Sequence, residues 1–280
     1  MSFDFESGVA SVEWLQTCLD SVGIAAEVLG VLQSPLASHT AALSKLEIQL
    51  ADAPSIDAFL KVMHPAFFQD GLNEVRFYQQ AHHLDLPLPV PRYFGSTIDE
   101  SRQGSALLIE ALKDEYIEHD WSRREQPDLA KIGRLVRGLA KLHAATWERG
   151  DTWGRPGYSR EIAEAASAAV DFPVLLDAFV LKTDGLISQR GQAALQQFVS
   201  VFVERMLNYL DTGPVMSLIH GDVHFGNVLV PVEPSSEVVF VDWANWAIDQ
   251  PADDLAHAVV SQLPPHFSVL QCENLITLYL

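Results

Sequence analysis

The sequence predicts an α+β fold in which strands dominate the first part of the chain and helices the second. Strand-like runs lie between residues 27 and 112, and the clearest are 43–50 and 58–63. Apolar residues then recur at helical spacing over 128–148 and 159–211. With 280 residues, the chain is long enough to bury a large core and could form one large domain or two lobes.

The net charge of the chain is strongly acidic, which argues against some classes of binding partner. The chain has 18 Lys and Arg against 37 Asp and Glu, a formal net charge of −19. No basic patch is available to meet phosphates, so we expect no nucleic-acid partner. The acidic balance suits a cationic substrate such as an amino sugar or a quaternary amine, and it equally suits a solubilising surface.

Hydropathy and cysteine content bear on location. No apolar run approaches the roughly 18 residues that span a bilayer, and the start MSFDFESG lacks the basic and apolar regions of a secretory signal. We therefore expect no membrane partner. Cys18 and Cys272 are far apart, which predicts a reducing, cytoplasmic location without a disulfide framework.

Residues 11–22 predict the first amphipathic helix. Trp14, Leu15, Cys18 and Leu19 share one face, and Ser11 is a plausible N-cap. The helix is expected to pack against its neighbours and to carry no chemistry.

A lysine interrupts the apolar run 58–63. Burying an ammonium group without a partner is costly, so Lys61 is expected to have an acidic partner. Glu74, in the helical stretch 71–83, is the candidate, as in kinases where a strand lysine contacts the phosphates and pairs with a helix glutamate. A lysine whose stem lies along an edge strand is the alternative interpretation.

One further strand and three helices complete the predicted organisation. Residues 105–112 predict a short buried strand with a polar exit. Helices are predicted at 128–148, 159–170 and 191–210, and His143 in the first of them is expected to be a packed, hydrogen-bonded structural residue.

The most informative stretch is 218–256, LIHGDVHFGNVLVPVEPSSEVVFVDWANWAIDQPADDLA. A short strand ends near Asp222, Asn227 follows five residues later, and a β-rich run ends on Asp242. A phosphoryl-transfer site needs one acid that orients and deprotonates the attacking hydroxyl. It also needs a second acid and a carboxamide that hold a divalent metal. A kinase catalytic loop has this spacing of Asp and Asn, followed later by a metal-binding Asp.

The ordered motifs HGDVHFGN, VDWANW and PADDLA resemble those of the aminoglycoside phosphotransferase family, the protein-kinase-like small-molecule kinases that include choline kinase. The resemblance implies a bilobal protein-kinase-like fold. A small antiparallel-sheet N-lobe is expected over 1–112, and a larger, mainly helical C-lobe over 113–280. It implies transfer of the γ-phosphate of ATP to a hydroxyl of a small molecule that is aminoglycoside-, choline- or sugar-like. It leaves the acceptor and the oligomeric state open.

The same resemblance implies roles for individual residues. Asp222 is the catalytic base, and Asn227 and Asp242 bind Mg²⁺. His220 packs under the loop. Asp254 ties the loop through hydrogen bonds or caps the helix that follows Pro251; the two roles are compatible.

The nucleotide site is implied in the same way. Lys61 and Glu74 serve the ATP phosphates, while Glu110 and Leu112 lie in the hinge whose backbone contacts adenine. An ordinary core strand is the alternative for that hinge segment.

Three features depart from the family pattern. Residues 30–44 contain no G-x-G-x-x-G, so hydroxyls of Ser34, Ser38 and Thr40 are the candidates for covering the phosphates. Asp249 stands where relatives often have glycine. The end, CENLITLYL, is a helix without a cap or breaker, from which we expect a truncated chain.

Two other functions remain open from the sequence. A zinc hydrolase could use His220, Asp222 and His224, which alternate along the chain and would face the same way on a strand. For His224, the alternative is a supporting position near Asp222. A pseudokinase would bind nucleotide without turnover, and the missing glycine motif is the feature that favours it.

Overall fold

The computed structural model describes residues 3–38, 40–85, 87–112, 116–117, 129–147, 153, 172–183, 185–212, 216–233, 236–262 and 268–280. The predicted helix over 159–170 lies outside the described residues. The chain divides into two compact units. The first comprises Met1–Ala145, His220–Trp246 and Ala252–Leu280, and the second comprises Thr146–Ile219 and Ala247–Pro251. The predicted lobe boundary at 112/113 stays a prediction.

A five-stranded antiparallel sheet with the order β1-β2-β3-β5-β4 organises the first unit. Its strands are β1 Val28–Leu36, β2 Ala41–Leu50, β3 Ile56–Met63, β4 Tyr93–Asp99 and β5 Gly104–Glu110. The predicted runs at 43–50, 58–63 and 105–112 correspond to β2, β3 and β5. Their ends differ by up to two residues, because pairing with neighbours sets where each strand stops.

The first helix, α1 (Val12–Ser21), covers one face of this sheet. The Ser11 hydroxyl caps it by accepting a hydrogen bond from the Trp14 N–H. The predicted amphipathic helix is therefore confirmed. Its buried residues join a core that includes Ala58, Leu60 and Val62 of β3.

Alternation along β3 explains how an apolar strand carries a lysine. Successive side chains of a strand point to opposite faces. Leu60 and Val62 are buried in the core with α1, so Lys61 projects from the opposite face.

In its described residues, the first unit also contains several helices and three short strands. Helix α2 (Phe68–Leu84) begins three residues before the predicted stretch, and α3 (Leu129–Thr146) confirms the predicted helix at 128–148. The remaining elements are the short strands β6 (Tyr116–Ile117), β8 (Val228–Pro231) and β9 (Val239–Phe240), and the helices α6 (Pro251–Gln262) and α7 (Val269–Tyr279).

The second unit contains α4 (Phe172–Lys182), α5 (Gln189–Asp211) and the antiparallel pair β7 (Ser217–Ile219) and β10 (Ala247–Asp249). Helix α5 contains the predicted helix at 191–210. Within the part of the chain that the structure describes, no helix is both long and apolar enough to cross a membrane.

Candidate active site

The HGD loop, defined here as residues 220–227, turns sharply at Gly221. This glycine has φ +80°, in the left-handed region. A Cβ built on Gly221 would lie 2.3 Å from the carbonyl oxygen of Asn245, a distance that real Cβ atoms do not adopt. Close backbone approach and positive φ therefore both require glycine at this position.

A buried carboxylate anchors the start of the loop. Asp254, in the first turn of α6, accepts hydrogen bonds from the backbone N–H of His220 (2.7 Å) and of Gly221 (2.9 Å). Burial alone would raise the pKa of Asp254. A hydrogen bond and charge from His143, together with the backbone N–H of His220, hold that pKa below its ordinary value. The predicted loop-tying role of Asp254 is confirmed.

His143 extends this network toward the C-terminal helix. Its Nε2 lies 3.3 Å from Asp254 Oδ2, and its Nδ1 lies 2.7 Å from the hydroxyl of Tyr279 in α7. His143 is buried, so the prediction of a packed, hydrogen-bonded structural histidine is confirmed.

Both ring nitrogens of His220 are engaged. Nε2 lies 2.9 Å from the carbonyl oxygen of Val241, and Nδ1 accepts the backbone N–H of Asp222 at 3.3 Å. The proton therefore sits on Nε2, and burial lowers the pKa of this imidazole, which keeps it neutral. His220 serves the loop, as predicted, and has no nitrogen left for a metal. Among the described residues, no group of three His, Cys, Asp or Glu is arranged to hold a metal ion. The geometry thus gives no support to the zinc hydrolase.

Asp222 lies at the exposed side of the loop, with about a third of its side chain accessible. Asn227 Nδ2 donates to Asp222 Oδ2 (3.2 Å) and to its carbonyl oxygen (3.0 Å). His224 Nε2 is 3.7 Å from Oδ2, which is a supporting position near Asp222. His257 Nε2, from α6, is 4.0 Å from Oδ1.

Antiparallel pairing of β8 with β9 brings Asn227 and Asp242 to the same end of a ladder. Val228 pairs with Phe240, and the Val241 N–H donates to the Asn227 carbonyl at 2.9 Å. Asp242 has φ 64° and ψ 66°, a left-handed conformation that residues other than glycine rarely adopt, although Asp tolerates it better than most. The two residues offer hard oxygen donors, which fits Mg²⁺, with water and phosphate oxygens completing its shell.

Lys61 forms ion pairs with two acids. Its Nζ lies 2.8 Å from Glu74 Oε2 and 2.8 Å from Asp242 Oδ1. Burial acts to lower the pKa of Lys61, but attraction to the two carboxylates outweighs it and raises that pKa above its ordinary value. The predicted pairing of Lys61 with Glu74 is therefore confirmed, and Asp242 is a further partner of Lys61.

Glu74 is almost fully buried on α2. Burial raises its pKa, while the charge of Lys61 and a hydrogen bond from the backbone of Trp243 act to lower it. The same helix stacks Phe77 on Trp243, with ring centroids 3.9 Å apart and planes 5° apart. The carbonyl of Asn73 accepts a hydrogen bond from Trp246 Nε1 at 2.9 Å.

The predicted hinge residues line a cavity of about 370 Å³ at the end of β5. Glu110 and Leu112 flank Ala111, whose N–H donates to the Asp57 carbonyl at 3.0 Å. Glu110 is tied to Arg92, which donates its N–H to Glu110 Oε2 at 3.3 Å. The full lining is Ser55, Ile56, Asp57, Arg92, Phe94, Glu110, Ala111, Leu112 and Tyr116. Lys61, Glu74 and Asp242 do not line this cavity, and nucleobase binding there stays a prediction.

The other departures from the family pattern have simple structural settings. Ser34 lies in β1, while Ser38 and Thr40 lie in its connection to β2, so their phosphate contacts stay a prediction. Asp249 ends β10 without a positive φ, and its Oδ1 accepts the N–H of Gln250 at 2.8 Å. No glycine is needed at position 249.

Two residues near the site, His257 and Phe77, were missed by the sequence analysis, and so were the contacts made by Trp243 and Trp246 of the VDWANW motif. One signal was available for His257, which follows Asp254 by three residues on a helix and therefore shares its face. The contacts of these aromatic residues left no signal in the sequence, because they join segments far apart in the chain.

Comparison with known proteins gives a match for most of the chain. Residues 41–279 match the model of a family described as "Phosphotransferase enzyme family" (APH). A search of curated protein sequences finds no match.

Several solved structures share the fold. A macrolide 2′-phosphotransferase, MphH from Brachybacterium faecium, is 18% identical with a TM-score of 0.51, over 94% of this chain and 82% of that one. The GDP complex of aminoglycoside 2′-phosphotransferase-IIIa is 14% identical with a TM-score of 0.50, over 96% and 83%. An ethanolamine kinase from Plasmodium vivax is 11% identical with a TM-score of 0.53, over 89% and 67%. At these identities the likeness concerns the fold, and it confirms the predicted α+β, protein-kinase-like fold class.

Proposed function

The chain belongs to the phosphotransferase enzyme family (APH), and we propose from this premise that it transfers the γ-phosphate of ATP to a hydroxyl of a small molecule. Asp222 is the catalytic base in this proposal. Lys61 and Glu74 serve the nucleotide phosphates, and Asn227 and Asp242 hold Mg²⁺. Mg²⁺ supplies neutralisation of charge on the phosphates when it is bound.

The observation that carries the proposal is the position of Lys61 between Glu74 and Asp242, 2.8 Å from each. This arrangement keeps a charged ammonium beside a partly exposed carboxylate, on the sheet face opposite the core. A lysine in this setting can contact phosphate oxygens next to the metal-binding acid. Neither an ordinary edge-strand lysine nor a structural ion pair needs a second, exposed acid.

Asp222 has the exposure and the restraint that a base requires. Asn227 donates hydrogen bonds to Oδ2 and to the carbonyl oxygen of Asp222. The Asp222 side chain nevertheless remains accessible to an acceptor. The acceptor oxygen forms a bond to phosphorus, the bond from phosphorus to ADP breaks, and the hydroxyl proton passes to Asp222. Because the transition state is loose, an ordinary carboxylate is a sufficient base.

The acceptor is proposed only as a class, a small alcohol, and the net charge of −19 favours a cationic one. The structural neighbours named above comprise macrolide and aminoglycoside phosphotransferases and an ethanolamine kinase. One of them is a complex with GDP, so both ATP and GTP belong in the first test. The hinge segment at Glu110 and Leu112 is proposed to contact the base. A cytoplasmic location stays a prediction.

The test combines nucleotide binding with turnover. We expect Mg·ATP or Mg·GTP to raise the melting temperature of the wild-type protein, since a ligand that binds only the folded state stabilises it. Product formation is followed by mass spectrometry with an aminoglycoside, a macrolide and ethanolamine as acceptors. Asp222→Asn should keep the nucleotide-dependent rise and lose turnover by about 10²- to 10⁴-fold. Asp242→Asn should lose the Mg²⁺-dependent part of the rise.

Asp52→Asn is the matched control, because Asp52 is exposed and its positive φ of 55° suits asparagine. Unchanged turnover in Asp222→Asn would remove the central assignment. Nucleotide binding without turnover for any acceptor would favour the pseudokinase.

A further inference from the structure

The two carboxylate oxygens of Asp222 have different surroundings. Oδ2 accepts a hydrogen bond from Asn227 at 3.2 Å and faces His224 at 3.7 Å. Oδ1 faces His257 Nε2 at 4.0 Å. The oxygen that faces His257 is therefore the better placed of the two to receive the proton of a bound acceptor.

The separation of 4.0 Å between Asp222 Oδ1 and His257 Nε2 suits one intervening oxygen atom. It exceeds the range of about 2.7–3.2 Å for a direct hydrogen bond. An oxygen about 2.8 Å from both atoms would hydrogen-bond to both, with an angle of roughly 90° between the two contacts. The other side of that oxygen stays free for its bond to the rest of the acceptor. Side chains of Asp222 and His257 are 36% and 41% exposed, so a ligand can reach this gap.

Helix α6 sets the distance between Asp222 Oδ1 and His257 Nε2, because it anchors the HGD loop and also carries His257. Asp254 binds the first two N–H groups of the HGD loop, and His257 lies three residues further along the same helix. Residues three apart share a helix face. The hydrogen bonds that anchor the loop therefore also set the distance from His257 to Asp222.

His224 does not compete for this role. Its Nδ1 accepts the Gly226 N–H at 3.0 Å within the loop, and its Nε2 faces the oxygen that Asn227 already occupies. His224 supports the loop, whereas His257 comes from another element and faces the second oxygen.

We propose that His257 binds the acceptor hydroxyl together with Asp222, a role that rests on the proposed function. Its Nε2–H donates a hydrogen bond to the acceptor oxygen, whose own hydrogen points to Asp222 Oδ1. Transfer then forms the bond from that oxygen to phosphorus, breaks the bond from phosphorus to ADP, and leaves the proton on Asp222. His257 orients the nucleophile and is not itself changed by the reaction.

The experiment measures ADP formation from Mg·ATP, with water alone and with an aminoglycoside, a macrolide or ethanolamine. We expect His257→Ala to lower turnover about tenfold, the effect of losing one net hydrogen bond. His257→Gln retains an N–H donor and should recover to within about threefold of wild type. The rise in melting temperature with Mg·ATP should be the same in all three proteins. His83→Ala, at an exposed histidine of α2, is the control and should behave as wild type.

Wild-type turnover in His257→Ala would overturn the role of His257 and leave the proposed function standing. Loss of the Mg·ATP response in His257→Ala and His257→Gln alike would also overturn it, because the residue would then support nucleotide binding or the fold. If the wild-type protein forms no ADP under any of these conditions, the proposed function fails, and the acceptor role of His257 fails with it.

Discussion

Replacing Asp254 by alanine would test whether one buried carboxylate positions the HGD loop. Asp254 accepts the N–H groups of His220 and Gly221 at 2.7 and 2.9 Å and also contacts His143 at 3.3 Å. His220 and His143 are buried, so neither can turn to water without a rearrangement of its surroundings. Asp254→Ala would leave the buried backbone N–H of His220 without a partner and would remove the acceptor of the half-buried N–H of Gly221.

The expected loss follows from those contacts. A hydrogen bond to a charged group contributes about 1.5–3 kcal/mol, and a buried donor left without a partner costs about 1–3 kcal/mol. Counting the two backbone donors, we expect Asp254→Ala to lower the free energy of unfolding by about 3–5 kcal/mol. At about 2–4 °C per kcal/mol for a chain of this size, the melting temperature should fall by roughly 6–20 °C. Asp254→Asn keeps one acceptor oxygen and should lose about half as much.

The assay is thermal unfolding followed by circular dichroism from pH 8 to pH 3. The folded pKa of Asp254 is depressed, so its contribution is fully present above the ordinary carboxyl pKa of about 3.9 and is lost as the pH falls through the depressed value. The difference between wild type and Asp254→Asn should therefore be constant above about pH 5 and shrink below about pH 4. A loss under 1 kcal/mol for Asp254→Ala, or a pH-independent difference, would refute the reasoning.

Three other perturbations give distinct outcomes. Lys61→Met should lower turnover about 100-fold and destabilise the fold by about 3–5 kcal/mol, because Glu74 is left buried without its partner. The double variant Lys61→Met/Glu74→Gln should recover stability, measured by urea unfolding, but should not recover turnover. Recovery of both would contradict the nucleotide role of Lys61. Gly221→Ala should cost more than the roughly 1–2 kcal/mol of a left-handed residue, because its Cβ meets the Asn245 carbonyl at 2.3 Å. Gly23→Ala, at φ +79° with nothing within 4 Å of its Cβ, is the control, and equal losses at both positions would contradict the clash. Because burial lowers the pKa of His220, the unfolded chain takes up a proton near pH 6.5 that the folded chain resists, so melting temperature should fall as the pH drops from about 6.5 to 5. His220→Gln should flatten that slope, and an unchanged slope would assign the effect to other histidines.

Local physical constraints made parts of the site predictable from sequence. Lys61 in an apolar strand required an acid, and Glu74 on the next helix supplies it at 2.8 Å. The glycine of the HGD motif is typical of a sharp turn, and this glycine, Gly221, has a positive φ in the structure. His143 was predicted as a packed histidine because a buried imidazole on a helix face needs partners, and it has them in Asp254 and Tyr279.

Contacts between distant segments were not predictable in the same way. Asp242 reaches Lys61 across 181 positions of the chain, and the sequence analysis assigned it to metal alone. Helical spacing placed His257 on the face of Asp254, but only the register between α6 and the HGD loop brings it to 4.0 Å from Asp222. Such registers depend on packing that a single sequence does not encode locally.

One face of α2 couples Lys61, which is proposed to contact phosphate, to Asp242, which is proposed to bind Mg²⁺. Asn73, Glu74 and Phe77 recur at helical spacing, and each contacts the segment that follows Asp242. These contacts fix the position of Trp243, the residue that follows Asp242. They therefore help to hold Asp242 in its left-handed conformation. A shift of α2 would therefore alter the Lys61–Glu74 pair and the orientation of Asp242 together. The positions of Lys61 and Asp242 consequently depend on the same aromatic stack and the same ion pairs.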